Sequence, residues 1–166
     1  MRFDSPEGIR AAGFDGFHTI ASLRDSLLAP VPEIPGIYLI LRNAEEPPRF
    51  LSKSPAGKFK RRDPTLPISE LRAAWLPSSS VLYIGKAGGL GTRATLRSRL
   101  RAYLRHGAGA SAAHWGGRAI WQLADSSELL VAWRFEAGQS TRDTERALIG
   151  EFLREYHRRP FANRVA

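Results

Sequence analysis

The sequence predicts an α/β fold in which a small central sheet of about three strands is flanked by helices. Two short apolar strings carry most of that prediction: Gly36–Leu41 (GIYLIL) and residues 81–85 (VLYIG). Each is bounded by helix breakers and reads as a buried strand. A third apolar run covers residues 129–135. Two further stretches repeat apolar residues at helical spacing, one over residues 95–106 and one from Ser140 to about His157.

With 166 residues, the chain is expected to form one domain over 1–166, with a leader at 1–33 and an insertion at 42–80. In the leader, residues 19–28 read as a short helix. Thr19 can cap it, and Ile20, Leu23, Leu27 and Leu28 share a face. Pro30, Pro32 and Pro35 then lead into extended chain. The insertion is proline-rich and irregular, with a basic cluster at Lys58, Lys60, Arg61 and Arg62 and room for a brief helix over 69–75. After the second strand comes the turn Gly88-Gly89-Leu90-Gly91. It lacks the Gly-Lys-Ser/Thr ending of a phosphate-binding P-loop.

The helix over 95–106 places Leu96, Leu100, Tyr103 and Leu104 on one face. Arg97, Arg101 and Arg105 form a separate stripe, and Arg99 borders the apolar face one turn before Tyr103. Residues 107–117 form a glycine- and alanine-rich loop. The last helix opens with the capping-box pattern Ser140-x-x-Asp143, and Pro160 closes it.

Charge is the outlier of the composition. Twenty-five Lys+Arg against 16 Asp+Glu give +9 and a pI near 10.8, which favours a polyanionic partner. The basic residues are nearly all arginine, whose fork matches phosphate oxygens. No long apolar run or amphipathic anchor indicates a membrane, and no signal-peptide layout is present, so a cytoplasmic location is the expectation. The chain has no cysteine, which excludes disulfides and cysteine-based zinc sites. The four histidines are scattered without metal-ligand spacing. The tryptophans at 75, 115, 121 and 133 read as core more readily than as base-stacking platforms.

Among the acidic residues, helix phase singles out Glu145. The core face of the last helix is Leu148, Ile149, Phe152, Leu153 and Tyr156, and Glu145 falls within that arc one turn earlier. A carboxylate on an apolar face calls for a partner or a metal. Glu145 also reads as belonging to the first turn, where the helix dipole favours negative charge. Glu151 falls outside the arc. The bland alternative is an exposed glutamate with a capping role.

The ordered set Tyr38, Tyr83, Arg99, Glu145 and Asn163 resembles the GIY-YIG nuclease family, over about residues 34–41 and 81–164. The strings Tyr83-Ile84-Gly85-Lys86-Ala87 and Leu96-Arg97-Ser98-Arg99-Leu100, together with Tyr103, are similar to the excision-repair branch. Two departures stand out. About forty residues separate the two tyrosine strings, a longer insertion than usual that resembles elaborations in restriction-enzyme members. Asn163 lies eighteen residues beyond Glu145, and Glu151 would fit the repair-type spacing better.

The resemblance implies metal-dependent endonuclease activity on nucleic acid, with double-stranded or branched DNA as partner and Mg²⁺, or alternatively Mn²⁺, as cofactor. Tyr38 would orient or deprotonate the attacking water with help from Lys86, and Tyr83 would bond the water or the scissile phosphate. Arg99 would hold a non-bridging oxygen, and Glu145 would bind the metal. Tyr103 belongs to the same matched set, and Asn163 would brace the site or touch DNA. Arg97, Arg101, Arg105, His114 and Arg118 are the candidate nucleic-acid contacts. A non-catalytic binding module and an RNA-cleaving enzyme are the alternatives. The sequence leaves open the oligomeric state and the choice between restriction and repair roles.

Overall fold

The computed structural model describes residues 1–111, 115–138 and 140–164. Five helices and four strands follow one another among them: α1 (Pro6–Ala11), β1 (Asp15–Thr19), α2 (Ile20–Asp25), β2 (Gly36–Leu41), α3 (Ile68–Ala74), β3 (Val81–Ala87), α4 (Leu96–Gly107), β4 (Leu130–Phe135) and α5 (Thr141–Tyr156). The strands pair antiparallel in the order β1-β4-β2-β3.

The sheet therefore has four strands rather than about three. The additional one, β1, lies inside the expected leader. It was not legible because its residues, DGFHT, neither alternate nor become buried, and the strand is broken by a register shift between Gly16 and His18. There Gly16 and Phe17 both have positive φ, as in a bulge at a sheet edge. The same segment delivers Phe3, Ile9 and Phe14 to the core.

Alternation along β2 sets the layers. Tyr38 and Ile40 join a core with Leu96, Leu100, Tyr103 and Leu104 of α4, whereas Ile37, Leu39 and Leu41 join one with Leu148 and Phe152 of α5. The helices thus cover opposite faces of the sheet. A bulge at Leu82, passed over between the pairs Ile40–Tyr83 and Leu41–Val81, turns Leu82 and Tyr83 to the same core.

Two helix readings are corrected. α2 ends at Asp25 rather than Leu28 because Leu27 and Leu28 take left-handed backbone conformations; Leu28 is buried, but Leu27 is 83% exposed. At α5 the capping box does not form. Ser140 has helical rather than extended backbone, and its hydroxyl turns to Glu136 (2.8 Å) and the Ala137 carbonyl (2.9 Å). Leu153 of the expected α5 core face is 43% exposed. Capping at Thr19 and Thr95 is present, the latter as a reciprocal pair with Ser98. No helix of the described residues is long and apolar enough to cross a membrane.

The glycines of the two strings make room rather than turns. A side chain at Gly36 would collide with the Arg134 carbonyl on β4. Gly85 is the cross-strand partner of Tyr38, and a Cβ there would overlap the tyrosine ring and lie 2.6 Å from its hydroxyl. Gly85→Ala should accordingly destabilise the fold by about 1–3 kcal/mol through overpacking. Denaturant unfolding measures this, and a variant as stable as the parent would show that the ring relaxes freely.

Candidate active site

The edge of β3 has a covered half and an open half. In the first half the chain after α5 lies alongside it: the Ala162 amide donates to the Leu82 carbonyl at 2.8 Å. The Asn163 side chain accepts from the Ile84 amide and donates to the Ile84 carbonyl, both at 2.8 Å. Both ends of the Asn163 amide are thus engaged by β3 backbone. Beyond Ile84 a cleft of about 370 Å³ begins, lined by Tyr83, Lys86, Gly88, Thr92, Arg99 and Glu145 among others. Because β3 is an edge strand, α4 contributes Arg99 from one face and α5 contributes Glu145 from the other.

Tyr38 lies behind the cleft in a group of four rings. Its centroid is 6.0 Å from Tyr83 and 6.4 Å from Tyr103; Tyr83 stacks on Tyr103 at 5.9 Å, and Tyr103 contacts Trp121 at 4.8 Å. The Tyr103 hydroxyl donates to the Gly117 carbonyl at 3.0 Å, tying the loop after α4 to this group. The hydroxyl of Tyr38 and the Nε of Arg99 are buried without a hydrogen bond of regular geometry. Orphaned polar atoms of this kind are uncommon, and each calls for a partner.

Burial, reinforced by Tyr83, pushes the Tyr38 phenol well above its ordinary range, with Arg99 drawing it back. Burial also raises Tyr83, aided by the Glu145 charge and opposed by Arg99. Burial lifts the Glu145 carboxyl too, against Lys86, Arg99, Arg142 and Arg146, which pull it down. Two of those cations, Arg142 and Arg146, were not singled out in the sequence. The position of Arg142 three residues before Glu145 is a signal that could have found it; Arg146, the next residue in the helix, carries no such spacing signal. Lys86 donates to the Gly88 carbonyl at 3.3 Å within the turn.

Glu145 is the fifth residue of α5, just past the first turn in which the sequence places it, counted from a helix that begins at Thr141 after Ser140. It makes no ion pair among the described residues. Glu151 instead takes the amino terminus of Met1 at 3.0 Å and does not line the cleft. No group of three or more His, Asp or Glu that could hold a metal occurs among the described residues. A larger cavity of about 550 Å³, near Arg42, Glu46 and Trp75, contains none of the candidate residues.

The expected nucleic-acid contacts divide. Arg97 is spent internally: it donates to the carbonyls of Val31 (2.7 Å) and Ala29 (3.3 Å) and pairs with Glu33 (2.7 Å). Arg101 and Arg105 are exposed on α4. Arg118 packs over the Trp115 ring at 4.4 Å, and His114 lies outside the described residues.

The raised carboxyl of Glu145 has a thermodynamic consequence. The folded state binds this proton more tightly than the unfolded state does. Its contribution to stability is therefore complete below the unfolded carboxylate value of about 4.3 and is lost as pH rises through the folded value. Glu145→Gln, which fixes the neutral form, should unfold at higher denaturant than the parent at neutral pH, with the difference closing toward about pH 4. Unfolding midpoints across pH check this, and a less stable Gln variant at neutral pH would contradict it. Comparison of the chain with protein-family models, curated proteins and solved structures finds no match.

Proposed function

We propose that this chain is a metal-dependent endonuclease of the GIY-YIG kind, hydrolysing phosphodiester bonds in nucleic acid, with double-stranded or branched DNA as its substrate. The observation that carries the reading is one cleft lined by Tyr83, Lys86, Arg99 and Glu145, with the buried Tyr38 hydroxyl behind it interacting with Tyr83 and Arg99. These residues come from three elements far apart in sequence, and each supplies something phosphodiester hydrolysis needs: a held water, countercharge and a carboxylate.

The carboxylate fits a one-ligand Mg²⁺ site. It lines the cleft, has no ion pair to displace, and lacks the further protein ligands that a closed cage would require. Mg²⁺ keeps several waters and takes substrate oxygens alongside one or two carboxylates. When bound on Glu145, such an ion would supply positive charge for the departing 3′ oxygen.

The side chains do the positioning. Tyr38 and Tyr83 stay phenolic because burial raises both, so they orient water and phosphate by hydrogen bonding rather than removing protons. Lys86, lining the same cleft, would donate to the attacking water or the phosphate and add countercharge, and the proton of the attacking water would leave to solvent. Arg99 lines the cleft, so its guanidinium would hold a non-bridging oxygen and its fixed charge would meet the charge that develops there. Tyr103 holds the Gly117 loop behind Tyr83, and Asn163 keeps the covered half of β3 in place.

Supercoiled plasmid incubated with Mg²⁺, Mn²⁺ or EDTA tests the reading. Metal-dependent nicking or linearisation should occur, and Glu145→Ala should lower it by about 100-fold or more while fold and binding persist. Cleavage that survives EDTA or the substitution would overturn the assignment. A salt-sensitive DNA shift without cleavage would instead identify a binding module, and an RNA panel separates the RNA-cleaving alternative. Arg99→Lys keeps the charge but loses the fork, so kcat should fall by about 100-fold with little change in stability; single-turnover kinetics with thermal unfolding measures both.

A further inference from the structure

The basic cluster of the insertion is not used by the chemistry above, and its backbone is unusual. The Phe59 amide donates to the Arg62 carbonyl at 3.2 Å and the Arg62 amide donates to the Phe59 carbonyl at 2.9 Å, closing a two-residue turn. Lys60 and Arg61 at its tip have φ of 48° and 63°. Two successive left-handed residues are the requirement of a type I′ turn, which Asn-Gly meets with least strain. Here two long cationic side chains occupy the tip, both exposed. Beyond the Lys60 ammonium lying 5.5 Å from the Phe59 ring centroid, a weak contact at an exposed site, the strained tip points to a role outside the fold.

The turn is not isolated. The Arg62 guanidinium lies 5.0 Å from the Trp115 ring and that of Arg118 4.4 Å from it, so two cations share one indole. Arg118 also donates to the Trp115 carbonyl at 3.1 Å, while its Nε is buried without a partner. Arg164 adds a third guanidinium close enough for its charge to act on Arg118, and Glu70, its ion-pair partner, is the nearby carboxylate. Such an excess of like charge calls for an anion. The patch is continuous with the cleft: a Cβ on Gly116 would lie 3.4 Å from the Tyr83 hydroxyl, and one on Gly117 would lie 3.1 Å from the Tyr103 hydroxyl.

We infer that the turn at residues 59–62, seated on Trp115 and Arg118, is a non-catalytic clamp that grips the backbone phosphates of duplex DNA beside the cleft. The inference rests on the endonuclease reading and deepens it: the clamp supplies affinity without sequence preference, because phosphate contacts position a duplex and do not read its bases. It also gives the long insertion a task, delivering Lys60 and Arg61 to substrate that the small sheet would not reach.

The test compares Glu145→Ala, the same variant with Lys60→Asn and Arg61→Gly, and the same variant with Lys60→Gln and Arg61→Gln. A labelled short duplex of random sequence is titrated in EDTA across a potassium chloride series. The Asn-Gly protein should melt a few degrees higher, since its turn is relaxed, yet bind about tenfold or more weakly at low salt, with a log K against log salt slope shallower by about 2. The Gln pair should show the same loss of binding without the gain in melting temperature. Affinity and slope unchanged in either double replacement would overturn the clamp while leaving the endonuclease reading intact. A Glu145→Ala protein that fails to bind the duplex even at low salt would defeat both.

Discussion

The arrangement depends on an absence, the missing side chain of Gly85. Across the β2–β3 ladder the Tyr38 ring occupies the space a Cβ would take. That close approach lets a large phenol be fully buried on a two-strand contact and still carry its hydroxyl to the region of Tyr83 and Arg99. The ring then becomes a floor: Tyr83 and Tyr103 pack on it, Trp121 backs Tyr103, and α4 is fixed by the same aromatic contacts that orient the tyrosines. Gly36 does the same on the other side of β2, where β4 approaches too closely for any side chain. The two glycines are therefore spacing elements, and the tyrosines beside them are positioned by sheet register rather than by loops.

The second determinant is that β3 lies at the edge of the sheet. A central strand would separate the residues of α4 from those of α5 by a continuous layer of backbone. At the edge, Arg99 and Glu145 reach round from opposite faces to one cleft. An open edge also invites unwanted pairing. The chain around Ala162 and Asn163 covers the half of β3 up to Ile84, leaving open the half that lines the cleft.

Much of this was legible from residue spacing. The apolar strings at Gly36–Leu41 and residues 81–85, the α4 face and the inward phase of Glu145 follow from periodicities of two and of about 3.6, and they describe the observed chain, in which β3 runs two residues further to Ala87. What periodicity could not reveal depends on backbone conformation and on long-range pairing. β1 is a half-exposed edge strand with a bulge, so neither alternation nor apolar content marked it. The end of α2 is set by left-handed backbone at Leu27 and Leu28, where the apolar pattern alone would continue the helix. Arg97, one of three arginines at equal spacing, is distinguished from the others only by the carbonyls the leader presents to it. In the candidate site, helix phase singled out Glu145, but the cations that surround it had to be seen in space.

Several unfavourable features of the fold lie at or near the cleft, while others, such as left-handed Phe17 and Leu27, lie elsewhere. The first group comprises the left-handed Lys60-Arg61 turn, the guanidiniums of Arg62, Arg118 and Arg164, the Tyr38 hydroxyl and Arg99 Nε buried without a hydrogen bond of regular geometry, and a carboxyl that burial makes harder to ionise. Each lowers the stability of the free protein. The face of the sheet under α5 packs Phe3, Leu39, Ile84 and Phe152 together, with Phe3 edge-on to Phe152 at 5.0 Å. On the endonuclease proposal, a phosphate-bearing strand laid beside the cleft would offer countercharge to the guanidiniums. The same anion would raise the demand for a cation at Glu145, so substrate and metal would favour each other's binding.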